Sequence, residues 1–129
     1  MPQIASCNPP QNVSNFAKGV GAETMARQVL AQQGYTILNQ RYRTPAGEID
    51  LVVRRGDALG FVEVKARKSV DEAAWSITPR QQRRICEAAG IWLQEFPSQC
   101  AETITFDAVL VVPGQPARHI VDAFRPELN

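Results

Sequence analysis

Two adjacent apolar runs, GEIDLVV and LGFVEVK, are separated only by a short turn, and they constrain the fold more tightly than any other stretch of the chain. The residues between them, Arg54-Arg55-Gly56-Asp57-Ala58-Leu59, have Gly-Asp at their centre. That dipeptide favours a two-residue antiparallel hairpin, because glycine accepts the positive φ such turns require. The pairing then predicts Arg55 opposite Ala58, Val52 opposite Phe61, Asp50 opposite Glu63 and Glu48 opposite Lys65. Side chains alternate along a strand, so Glu48, Asp50, Glu63 and Lys65 share one face. Ile49, Leu51, Val53, Val62 and Val64 share the other, which is expected to be the core face. Opposed carboxylates repel and weaken a hairpin, and a divalent cation between them turns that repulsion into binding. The pattern therefore reads as a metal site with a lysine beside it. The competing reading is an amphipathic surface hairpin with its polar face in water and Glu48–Lys65 an ordinary pair. A one-residue bulge would shift the register and undo the alignment.

Elements on either side follow from their periodicity. Ala22, Met25, Ala26, Val29 and Leu30 form one stripe of a helix over 18–33, ended by Gly34. Residues 35–43 read as a strand, followed by a turn at Thr44-Pro45-Ala46-Gly47. After a polar connection over 68–77, Thr78 and Pro79 supply the cap and first position of a second helix. Its stripe is Ile85, Ala88, Ala89, Trp92 and Phe96. Residues 103–112 read as a strand and 119–124 as a short last one. The expected order is helix, three strands, helix, two strands.

A chain of 129 residues with 44% hydrophobic and 21% charged residues suits one soluble domain, here 15–129 after a Pro/Asn/Gln-rich flexible tail over 1–14. No apolar run reaches the length of a membrane span, and the first residues lack the basic and apolar parts of a secretory signal. Cys7, Cys86 and Cys100 form no paired motif. They read as reduced thiols of a cytoplasmic protein, two of them buried, and neither as disulfides nor as zinc ligands. The lone His119 supports no catalytic triad and is expected to face solvent or pack at a strand start. Trp75 and Trp92 read as packing groups. Without a glycine-rich loop ending in Lys-Ser or Lys-Thr, P-loop nucleotide hydrolysis is disfavoured.

Net charge is +1, yet residues 41–84 carry ten basic and six acidic side chains. Arginine makes up eleven of the fourteen basic residues, and its planar fork grips phosphate in two places. The basic half is thus the half that holds the hairpin.

Asp50 followed by Glu63-Val64-Lys65 on the next strand resembles the signature of the PD-(D/E)XK nuclease superfamily. More narrowly, the segments GVGAETMARQVLAQQGYTILNQRYR, GEIDLVVRRGDALGFVEVKAR, TPRQQRRICEAA and TFDAVLVV resemble the YraN-like family of uncharacterised bacterial proteins. The resemblance implies an α/β, restriction-endonuclease-like fold with a mixed central sheet flanked by helices. It also implies a likeness to archaeal Holliday-junction resolvases, which share a glutamate on the leading helix. Carried over, Glu23, Asp50, Glu63 and Lys65 match active-site positions, and Gln81 or Gln82 matches the polar position opening the second helix, with Gln82 taken as catalytic and Gln81 as supporting. Where relatives commonly read Thr-Pro-Arg-Lys-Gln, this chain has Thr78-Pro79-Arg80-Gln81-Gln82 and so lacks one positive charge.

Those residue types suit phosphodiester hydrolysis. Mg²⁺ takes hard oxygen ligands, commonly one or two carboxylates with substrate phosphate and water. Asp50, Glu63 and the Val64 carbonyl are the expected ligands, with Mn²⁺ as a substitute. Lys65 is expected to orient or deprotonate water or to stabilise charge, Glu23 to hold a metal-bound water, and Glu48 to tune Lys65. Arg80, Arg83 and Arg84 are expected to contact backbone phosphates. The leading expectation is a Mg²⁺-dependent DNA endonuclease acting on branched or damaged DNA, and a homodimer would suit cutting two strands. The alternatives are a nucleic-acid-binding protein without cleavage and a module whose basic surface meets an acidic protein.

Overall fold

The Gly56-Asp57 turn forms with Gly56 at φ 60°, and it joins β2 (Glu48–Arg55) to β3 (Ala58–Ala66). Arg55 faces Ala58 and Val52 faces Phe61, the expected register. A computed structural model of the protein describes residues 20–71 and 76–125. The tail over 1–14, Cys7, Lys18 and Trp75 lie outside the described residues.

Around the hairpin run α1 (Val20–Gln32), β1 (Thr36–Arg43), α2 (Pro79–Glu95), a short 3₁₀ turn (Pro97–Gln99), β4 (Thr103–Val111) and β5 (Arg118–Phe124). The sheet order is β1-β2-β3-β4-β5. All neighbours are antiparallel except β3 and β4. A parallel pair needs a crossover, and α2 provides it. The fold is therefore mixed α/β in the expected order. No helix among the described residues is long and apolar enough to cross a membrane.

Each helix covers one sheet face with the stripe its sequence encodes. Ala22, Ala26 and Leu30 of α1 pack on Leu51, Val53, Val62, Val109 and Val111. Ile85, Ala88, Ala89 and Trp92 of α2 pack on Val52, Leu59, Phe61 and Ala108. This corrects the hairpin expectation of one core face and one polar face. Both faces are buried, as in sheets sandwiched between helices, and the polar groups of the hairpin itself gather where β2 and β3 part. Ile49 also departs from its expected set, because it packs in the α2-side cluster with Val52 and Phe61.

Thr78 caps α2 through a reciprocal box: its hydroxyl accepts from the Gln81 N–H at 3.2 Å, and the Gln81 side chain accepts from the Thr78 N–H at 3.3 Å. Trp92 is fully buried as a packing group, and its Nε1–H donates to Asn39 Oδ1 at 2.6 Å beside the bulge in β1. Cys100 is exposed and Cys86 half-buried, so neither of the described thiols is a core group as expected. His119, the second residue of β5, takes the packed one of its two expected placements. Its side chain is only 3% exposed, 2.9 Å from Asp107 Oδ2 and 2.8 Å from Gln33 Oε1, with Tyr35 edge-on to its ring.

Candidate functional site

The β2–β3 ladder runs from Arg55↔Ala58 to Leu51↔Val62 and stops. β3 continues alone on that side while it remains paired to β4 as far as Ala66↔Val111. At the split, the Val64 N–H donates to Asp50 Oδ2 at 2.7 Å, so a side chain takes over the donor that a ladder partner would have satisfied. The expected cross-strand pairs Asp50–Glu63 and Glu48–Lys65 are therefore not ladder pairs. Two carboxylates facing each other in a ladder repel, whereas a parting of the strands gives one of them a backbone donor. β1 is irregular at the same level: Arg41, between the pairs Gln40↔Leu51 and Tyr42↔Ile49, has φ 51°.

The carboxyl groups nevertheless converge. Asp50 and Glu63 line one open cavity of about 190 Å³ together with Glu48, Gln81, Arg84 and Ile85. Burial pushes the Asp50 carboxyl up, and the charges of Glu23 and Glu48 add to this while the Val64 hydrogen bond opposes it. Glu63 is pushed up to about 7, first by burial and then by the Asp50 charge, against the pull of Lys65. Lys65 is buried, with Nζ 3.7 Å from Glu63 Oε2. The result is a pair of carboxyl groups that share more negative charge than their surroundings neutralise.

The other expected residues are placed unevenly. Glu23 bonds Arg41 Nε at 3.0 Å and acts on Asp50 through its charge, but does not line the cavity. Glu48 lines it and is tied to Arg43 Nε at 2.8 Å, not to Lys65. Gln81 reaches the cavity while serving in the cap of α2, whereas Gln82 turns away and donates to the Ile77 carbonyl at 2.8 Å. Of the three arginines, Arg84 lines the cavity, and Arg80 and Arg83 are exposed near the start of α2.

The turn over 44–47 also builds the site, and sequence inspection passed over its role. Thr44 closes it with backbone bonds to Gly47 at 2.8 and 3.2 Å, and its hydroxyl adds bonds to Ala46 and Gly47. Gly47 then abuts α2 so closely that a Cβ there would lie 3.1 Å from the Arg84 carbonyl oxygen. Arg84 Nε donates to Ala46 O at 3.3 Å, which fixes the cavity wall next to Glu48. The only advance signal was the glycine immediately before β2.

Among the described residues no group of three or more His, Cys, Asp or Glu side chains is placed to hold a metal ion. A protein-only cage of the calcium or zinc kind is thus not present in them. Three carboxylates line the open cavity, and with Glu48 already tied to Arg43 the donors left are Asp50 and Glu63, a set that fits Mg²⁺, an ion that keeps several waters and takes few protein ligands. Val64 points its N–H to the β2 side, and in an extended strand the carbonyl of the same residue faces that side too.

A partly buried carboxylate pair beside a buried lysine thus sits where two interior strands of a mixed α/β sheet part. The chain belongs to uncharacterised protein family UPF0102, which it matches over residues 22–111. It is 48% identical over 123 residues to a UPF0102 protein of Bradyrhizobium diazoefficiens, covering 95% of this chain and 90% of that one. To a UPF0102 protein of Rhodopseudomonas palustris strain BisB18 it is 49% identical over 115 residues, covering 89% and 85%. This agrees with the YraN-like resemblance.

Proposed function

We propose that the protein is a divalent-metal-dependent nuclease that hydrolyses phosphodiester bonds in DNA. The observation that carries this reading is the convergence of partly buried Asp50 and Glu63 on one cavity, with their carboxyl groups pushed upward and the buried Lys65 Nζ 3.7 Å from Glu63. A buried excess of negative charge beside a cleft is costly unless a cation or a proton neutralises it.

Asp50, Glu63 and the Val64 carbonyl would hold Mg²⁺. When bound, the ion supplies an acidified water and a counter-charge for the scissile phosphate. Glu63 and Lys65 form the proton-handling pair: the ammonium restrains the carboxylate, and the buried lysine presents a positive charge where negative charge develops on phosphate. Gln81 offers an amide to the same cavity. Arg84 flanks it, and exposed Arg80 and Arg83 supply sequence-independent affinity for backbone phosphate. Glu23, from the α1 side, adds negative charge that pushes the Asp50 carboxyl further up and strengthens the site's demand for a cation. The resemblance to junction resolvases motivates branched or damaged DNA as the substrate class.

The test is incubation with single-stranded, duplex, flapped and four-way DNA, with and without Mn²⁺. Metal-dependent cleavage is expected on at least one substrate, and its loss is expected in both Asp50→Ala and Lys65→Ala variants that remain folded by circular dichroism. Binding to these DNAs without cleavage would instead support a binding protein. Absence of both would favour an acidic protein partner.

A further inference from the structure

Arg41 is a non-glycine residue at φ 51°, a backbone region that L side chains rarely adopt. Its position in β1 lies across from Asp50, because its neighbours pair as Gln40↔Leu51 and Tyr42↔Ile49. Nε donates to Glu23 Oε1 at 3.0 Å, and this is the one bond the side chain makes among the described residues. The two terminal amino groups make no hydrogen bond to the described residues, on a side chain that is 48% exposed. The guanidinium is held charged, first by its hydrogen bond to Glu23 and then by the Glu23 charge, with Glu48 and Asp50 adding to it. An arginine fixed along one edge and free along the other is arranged to grip an oxyanion in two places. Arg54 and Arg55 serve as a contrast. Arg54 gives Nε and a terminal amino group to the Gly56 and Gln99 carbonyls, and Arg55 bonds the Gln33 carbonyl while its guanidinium lies 4.5 Å over the Tyr35 ring, so both act as structural ties.

We propose that Arg41 is a substrate-phosphate contact of the nuclease site, steadied by Glu23 and lying on the opposite side of Asp50 and Glu63 from the α2 arginines. This rests on the nuclease reading and extends it. The nucleic-acid backbone then passes over the split end of the sheet, from Arg84 on α2 to Arg41 on β1, with the carboxylates between them. Glu23 acquires a second task in this arrangement, which is to hold Arg41 in place.

The test measures binding of fluorescein-labelled duplex and four-way DNA in Ca²⁺ across a salt series, for wild type, Arg41→Asn and Arg41→Lys. Asparagine tolerates the left-handed backbone, so the first variant is expected to match or exceed wild-type thermal stability. Its slope of log affinity against log salt is expected to be shallower by about one unit. Arg41→Lys, which keeps the charge, is expected to retain the wild-type slope. An Arg41→Asn slope equal to that of wild type overturns the proposal and leaves the nuclease reading standing if wild type still cleaves. If wild type binds without cleaving, the nuclease reading fails and the slope alone decides the phosphate contact. Failure of wild type to bind any of these DNAs overturns both.

Discussion

The Asp50 carboxylate accepts the Val64 N–H at 2.7 Å, a bond between a side chain of one strand and the backbone of the next. It lets β2 leave β3 without stranding a buried donor, and it pins one member of the carboxylate pair to the main chain. Stability and the candidate chemistry are therefore linked through this one residue.

Asp50→Ala should destabilise the protein by about 1–3 kcal/mol, because the Val64 N–H loses its acceptor in a largely buried place. Asp50→Asn keeps an acceptor oxygen and removes the charge that Glu63 repels. In EDTA its urea midpoint is expected to lie above that of wild type. A lower midpoint for the asparagine variant would contradict the electrostatic account.

Glu63 yields a pH prediction with a definite sign. Its carboxyl is pushed from the model-compound value of 4.5 up to about 7, so between those values the folded state binds more protons than the unfolded state. The Glu63 contribution to stability of the metal-free protein must then fall as pH rises through that window, by about 3 kcal/mol, and the upward shift of Asp50 acts in the same direction. Denaturation in EDTA from below the lower value to above the upper one reads this directly. Glu63→Gln should flatten the decline, and Mg²⁺ should offset it by favouring the ionised carboxylates.

Gly47→Ala places a methyl group 3.1 Å from the Arg84 carbonyl, backbone against backbone, where no flexible side chain can give way. A loss of about 1–3 kcal/mol is expected. Because the displaced turn leads into Glu48 and supports Arg84, any metal-dependent cleavage should fall with it. Gly90→Ala on α2, where an added Cβ meets nothing within 4 Å, should not destabilise the fold.

His119→Ala removes a buried partner of Asp107, which is 1% exposed and among the described residues would keep the Asp122 N–H alone. A loss of about 2–3 kcal/mol is expected from the under-satisfied buried carboxyl group. Arg80→Ala, an exposed site, should stay within about 0.5 kcal/mol of wild type. Urea denaturation of the two variants side by side distinguishes a structural His–Asp contact from a surface one.

Local pattern was enough for the elements and their stripes. Ile85, Ala88, Ala89 and Trp92 fall on one side of a helix whatever surrounds it, Thr78-Pro79 starts that helix, and Gly56 admits one tight turn that fixes Val52 against Phe61. The grouping of Asp50 with Glu63 was legible for the same reason, since strand alternation is a property of the chain alone. Non-local balances decided the rest. Whether β2 stays on β3 past Leu51 depends on carboxylate repulsion against a side-chain acceptor for Val64, and that contest exists only once both strands are buried under helices. Ile49 changes clusters and Arg41 takes a left-handed backbone at that same level. Which glutamine meets the cavity depends on the cap of α2, and the burial of His119 depends on Asp107 and Gln33, distant in sequence but adjacent in the folded chain. Short-range periodicity thus set the parts and the register beside the Gly56 turn. Only the packing of two helices onto both faces of the sheet fixed which polar groups lost water, and hence which of them acquired the electrostatic tension that chemistry can use.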